Sequence, residues 1–118
     1  MTRHDVCSSD EVAIGTVKSI ALGRTTVLLV RLPSGDVKAI NARCPHQGAP
    51  LKYGCITGET SAADSEGMSF DRPGEILRCP WHGFEYDLVT GEALVRPGTA
   101  ALRTYPVEYD GDRIIVLT

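Results

Sequence analysis

Apolar and polar positions alternate along this chain in short runs, and no window of twelve or more residues holds a clean 3.6-residue period. Residues 26–31 are rich in β-branched and apolar side chains. Pro33-Ser34-Gly35-Asp36 then supplies turn chemistry, and 37–41 resume the pattern, which predicts a β-hairpin. Residues 104–109 alternate, Asp110-Gly111-Asp112 turn, and 113–117 return as a second hairpin. A further turn falls at Thr90-Gly91, after Tyr86-Asp87-Leu88, and residues 11–13 offer one helical turn at most. The twelve glycines and seven prolines concentrate between the β-like runs. An all-β domain follows.

One segment breaks the pattern. Residues 58–75 hold Glu59, Asp64, Glu66, Asp71 and Glu75 against Arg72 alone. They read as a solvated acidic insertion, with a short strand near 68–70 and a docking surface as the functional alternative. The length of 118 residues suits one domain spanning 1–118 with its own core. With 42% hydrophobic and 23% charged residues, the composition is that of a soluble globular protein. The net charge of −3 lacks the basic excess of a nucleic-acid binder. The strongest apolar run, Val27 to Val30, is far short of the roughly 20 residues of a membrane span. The N-terminus leads into no signal-peptide core, so the expected location is cytoplasmic, with no membrane and no nucleic-acid partner. In that compartment four cysteines point to metal ligands or thiols rather than disulfides.

The chemistry concentrates in two short motifs. Cys44-Pro45-His46 opens one, followed by Gln47-Gly48-Ala49-Pro50-Leu51, and Cys79-Pro80-Trp81-His82-Gly83 forms the other. They use two of the three histidines and offer two thiolates and two imidazoles. Such a donor set suits zinc or an iron–sulfur centre. The Cys-x2–4-Cys knuckle of a structural zinc site is absent, and mixed Cys/His loops fit a [2Fe-2S] cluster better.

Both motifs, the second continued by Phe84-Glu85-Tyr86-Asp87-Leu88-Val89-Thr90-Gly91, resemble the cluster loops of Rieske proteins, and the resemblance runs from about Val6 to Leu117. It implies a Rieske-type fold of antiparallel β-sheets with a small cluster-binding subdomain made of two loops, about 44–51 and 79–87. It implies a Rieske [2Fe-2S] cluster with Cys44 and Cys79 on one iron and His46 and His82 on the other. Ala49 and Trp81 stand where subunits of cytochrome bc complexes carry a disulfide, and Phe84 stands where they carry a serine. Tyr86 matches the family tyrosine. With one hydroxyl donor fewer, the expected potential lies low in the Rieske range, which begins near about −150 mV. The sequence resembles soluble, low-potential ferredoxins that are components of ring-hydroxylating dioxygenases. The implied role is a one-electron carrier, itself no enzyme, between a flavin-dependent reductase and a terminal oxygenase. His46 and His82 form the implied exit path, rimmed by Gln47, Pro80 and Trp81.

Two other roles compete: a small Rieske subunit of a larger reductase, such as one acting on nitrite, and a zinc-stabilised interaction module. Direct oxygenase chemistry needs a mononuclear iron with two histidines and a carboxylate, and only His4 remains for it. Cys7 and Cys55 read as small buried hydrophobes or thiols, and His4 as solvated in a mobile terminus. Gly48, Gly54 and Gly83 read as glycines that permit loop turns.

Overall fold

The computed structural model describes residues 2–45, 50–64, 67–80, 85–94 and 101–118, with 55, 57–64 and 67–73 as backbone only. The described residues contain ten strands and no α-helix. All strand pairs are antiparallel, as the hairpin turns and the Rieske resemblance implied, and they form three sheets.

The four-stranded sheet has the order β2 (Val17–Leu22), β3 (Thr25–Arg31), β4 (Val37–Asn41), β8 (Thr104–Tyr105). The predicted hairpin over 26–41 is its centre, with Arg31 opposite Val37 and Val27 opposite Asn41. Val27, Leu28, Leu29 and Val30 are all fully buried. A strand buried on both faces reads as a continuous apolar run rather than an alternating one. Leu28 and Val30 pack into one core cluster with Leu32, Ile40, Cys44, Leu51, Leu77, Cys79, Tyr86 and Leu88. Val27 and Leu29 pack into a second, with Cys7, Val37, Ala39, Ile114 and Val116. Each fully buried Leu or Ile contributes about 1.5–3 kcal/mol to folding.

The second cluster lies under the terminal sheet, ordered β1 (Arg3–Ser8), β10 (Arg113–Leu117), β9 (Val107–Asp110). The chain ends thus pair with each other, Arg3 opposite Leu117. His4 was expected in a mobile terminus. It instead lies half-buried in β1, its Nε2 2.8 Å from Thr118 Oγ1. Cys7 is buried, as expected. The predicted 104–109 strand is divided at Pro106, which has no N–H to donate to a ladder. Before it, β8 pairs with β4; after it, β9 pairs with β10. Arg31 ties the N-terminal segment to the central hairpin. It donates from Nε to the Val12 carbonyl at 2.7 Å, from Nη1 to Gly35 at 2.6 Å, and from Nη2 to the Ser9 carbonyl at 2.6 Å. The helical turn expected over 11–13 lies instead over Ser9–Glu11, as a 3-10 turn.

The third sheet corrects the expectation for the acidic segment. Residues 58–75 are not a loop with one short strand. They belong to a long hairpin of β5 (Cys55–Asp64) and β6 (Gly67–Arg78), with β7 (Glu85–Asp87) on the other side of β6. Its base is anchored, since Ile76 and Leu77 are fully buried and Ile56 packs on the first core. Once the base is paired, each further rung closes at little entropic cost, so polar residues follow it into the ladder. The register slips between Thr57 and Glu59, next to Pro73 and Gly74 on β6. Beyond the slip, Glu59 is the register partner of Asp71.

Candidate metal centre

The two motifs follow the ends of β4 and β6. Residues 41–43 leave β4 in a turn where the Arg43 amide donates to Asn41 Oδ1 at 3.0 Å. The Asn41 amide group donates in turn to the Tyr105 hydroxyl at 3.1 Å, which fixes the turn to β8. Arg43 bridges Pro50, and the Leu51 amide donates to the Ala42 carbonyl at 2.9 Å, so the first loop is closed at its neck. Leu51 is fully buried and begins the 3-10 turn Leu51–Tyr53, which leads through Gly54 into β5. The second loop leaves the end of β6 and re-enters at β7. Arg78 and Glu85 are register partners across its neck, and Arg78 Nη2 lies 3.3 Å from Glu85 Oε2.

The turn after β7 is held just as firmly. Asp87 Oδ1 accepts from the Val89 amide at 2.8 Å, and the Gly91 amide donates to the Asp87 carbonyl at 2.6 Å. Gly91 has φ +83°, a left-handed value that favours glycine, so the predicted Thr90-Gly91 turn has its physical cause.

Cys44 and Cys79 come together in the first core cluster, 2% and 3% exposed, with Leu51, Leu77 and Tyr86 around them. The Tyr86 hydroxyl lies 3.1 Å from Cys44 Sγ. Burial pushes the Tyr86 phenol up, helped by its hydrogen bond to Cys44 and by the charges of Cys44 and Cys79. It therefore stays protonated and available as a donor, and against a thiolate at Cys44 the hydroxyl is the group that donates. Two soft sulfur donors in a dry, apolar setting, one already facing a hydroxyl donor, fit an iron–sulfur centre. His46 and His82 lie outside the described residues, as do Gln47, Gly48, Ala49, Trp81, Gly83 and Phe84. The side chain of Cys55 also lies outside them.

Beside the neck of the first loop the described surface is basic. Arg43 and Lys52 line a groove of about 430 Å³ with Ser19, Thr26, Ala42 and Pro50. Tyr53 is 67% exposed, and Lys52 Nζ sits 4.9 Å from its ring centroid. Sequence reasoning did not single out Arg43, Lys52 or Tyr53, which carry no motif and gain a role only through their position beside the loops. Among the described residues no helix is long and apolar enough to cross a membrane.

The model of the Rieske [2Fe-2S] domain matches residues 2–106. The chain is 31% identical over 111 residues to human apoptosis-inducing factor 3, covering 94% of this chain but only 16% of that protein's length. It is 31% identical over 100 residues to the ferredoxin component of the naphthalene 1,2-dioxygenase system of Pseudomonas aeruginosa, covering 76% of this chain and 89% of that one. Among solved structures, the ferredoxin of carbazole 1,9a-dioxygenase from Nocardioides aromaticivorans superposes with a TM-score of 0.75 at 26% identity, covering 98% of this chain and 97% of that one. With the two buried cysteines at adjacent loop necks, these matches place the chain in the Rieske [2Fe-2S] domain family.

Proposed function

We propose that the chain is a one-electron carrier, folded as one domain over 1–118, that passes electrons from a flavin-dependent reductase to an oxygenase in the cytoplasm. Cys44 and Cys79 hold one iron of its cluster, and His46 and His82 the other. The observation that carries the reading is the burial of Cys44 and Cys79 in one core cluster at the necks of two loops. Its support from relatives is their size. The carbazole 1,9a-dioxygenase ferredoxin matches 98% of this chain over 97% of its own length and the naphthalene dioxygenase ferredoxin matches 76% over 89% of its own, whereas the chain spans 16% of apoptosis-inducing factor 3.

When bound, the cluster supplies a one-electron couple and no bond-making site. The chain's own residues supply the rest. Cys44 and Cys79 present sulfur from a rigid β frame. Leu51 and Leu77, both fully buried, keep water from the sulfur side. Tyr86 donates a hydrogen bond to Cys44 and so favours added negative charge there. Arg43 and Lys52 place positive charge at the rim, where electrostatics steers partner encounter.

The test is iron and acid-labile sulfide content with electron paramagnetic resonance of the dithionite-reduced protein. Two irons and two sulfides per chain with a Rieske-type signal are expected. Zinc without sulfide overturns the reading. For the ligand set, His46→Cys and His82→Cys must each alter or abolish that signal. For the carrier role, a flavin-dependent reductase must reduce the protein and an oxygenase reoxidise it.

A further inference from the structure

Gly54 occupies the point where the chain leaves the first loop and meets the entry to the second. It ends the 3-10 turn Leu51–Tyr53, with its amide donating to the Leu51 carbonyl at 2.8 Å. The next residue, Cys55, is the register partner of Arg78, which immediately precedes Cys79. Gly54 does end a turn, but it does not permit that turn through a conformation reserved for glycine. Its φ of −73° and ψ of 171° are ordinary extended values that any residue adopts. What glycine supplies here is room. A Cβ on Gly54 would run into the carbonyl oxygen of Arg78, and would lie 3.1 Å from the Leu51 carbonyl oxygen and 3.2 Å from Leu77 Cδ1. Two of these three neighbours are backbone, one from each motif's flank, and backbone cannot swing aside as a side-chain tip does.

We propose that Gly54 is a positioning residue for the metal centre: by leaving no side chain between the exit of the first loop and the entry of the second, it sets how closely Cys44 and Cys79 approach. The proposal rests on the cluster reading above. Any side chain at 54 drives the Leu51–Tyr53 turn and the Arg78 end of β6 apart. Leu51 and Leu77 are fully buried in the cluster that contains both cysteines, so the displacement passes to the two sulfurs rather than to solvent.

The test compares Gly54→Ala with Gly111→Ala in the cluster-bearing protein. Gly111 has φ +61° in the β9–β10 turn, with open space around its would-be Cβ. Its substitution therefore strains the fold without touching the loops. Gly54→Ala is expected to shift the g-values of the reduced signal and the midpoint potential, and to release iron to excess EDTA at least about tenfold faster, the scale of an outer-shell loss. Gly111→Ala is expected to lower the melting temperature and leave all three as in the parent. Unchanged g-values, potential and release rate in Gly54→Ala overturn the proposal. If that variant carries no cluster, far-UV circular dichroism decides. An intact β-signal without cluster is the strong form of the expected result, and loss of both shows a general folding role and overturns it. A parent protein without two irons and two sulfides overturns the cluster reading itself, which keeps the two failures apart.

Discussion

Tyr86→Phe removes one oxygen atom and leaves the ring in place. The ring is fully buried, so its packing survives, and the change isolates the hydroxyl that lies 3.1 Å from Cys44 Sγ. Burial holds that phenol protonated, so it is a donor throughout the working pH range. A hydrogen bond between neutral groups contributes about 1 kcal/mol net, and one to a charged group about 1.5–3 kcal/mol. With Cys44 as the proposed cluster ligand, its sulfur becomes more negative on reduction, so the bond should strengthen on reduction by about 1 kcal/mol, the difference between those classes. For a one-electron couple a tenfold change in the equilibrium, about 1.4 kcal/mol, corresponds to about 59 mV. Tyr86→Phe should therefore lower the midpoint potential by about 40 mV. The assay is a mediated redox titration of parent and variant side by side at one pH, followed by visible circular dichroism. A potential within about 10 mV of the parent, or above it, would refute the assignment of Tyr86 as a donor that favours the reduced state.

Arg31→Met should lower unfolding stability by about 2–4 kcal/mol, because it strips the donors from the Ser9, Val12 and Gly35 carbonyls. Urea titration checks this, and the iron–sulfur spectrum should not change. Burial raises the Cys7 thiol above its ordinary value of 9.0. The unfolded thiol therefore ionises first, and the stability Cys7 contributes is complete below that value and lost as pH rises through the folded one. The stability gap between the parent and Cys7→Ala should shrink as pH rises above 9.0, and a constant gap would contradict the shift. Excising 59–71 and closing the hairpin with Asn-Gly should leave the spectrum unchanged and cost less than about 1 kcal/mol, since the anchoring residues Ile56, Ile76 and Leu77 remain.

The central and final hairpins were legible because turn chemistry bracketed apolar runs. Gly35 and Gly111, at φ +100° and +61°, sit where those turns demand them. The cysteine pair was legible because its spacing to histidine is unusual. Strand β1 was not, since Arg3-His4-Asp5 carries no apolar alternation and is held by pairing with β10 across the whole chain. The extent of β5–β6 was hidden for the same reason: backbone rungs propagate from a buried base without leaving a hydrophobic signature. Pro106 was read as part of one strand because the alternation continues through it, although the missing amide is where the chain changes sheets. The crowding at Gly54 has no sequence signal at all, because its cause is a carbonyl 24 positions away.

Strand β3 sends even-numbered Leu28 and Val30 to the metal side and odd-numbered Val27 and Leu29 to the terminal sheet, and β4 repeats the parity with Ile40 against Val37 and Ala39. Neither half of the protein therefore owns its core wall. Melting either face exposes the back of the other, so the chain has no stable half-folded form in which one layer survives alone. Cluster loading on one face should therefore slow fraying of the chain ends on the other, through the four-stranded sheet that both cores share.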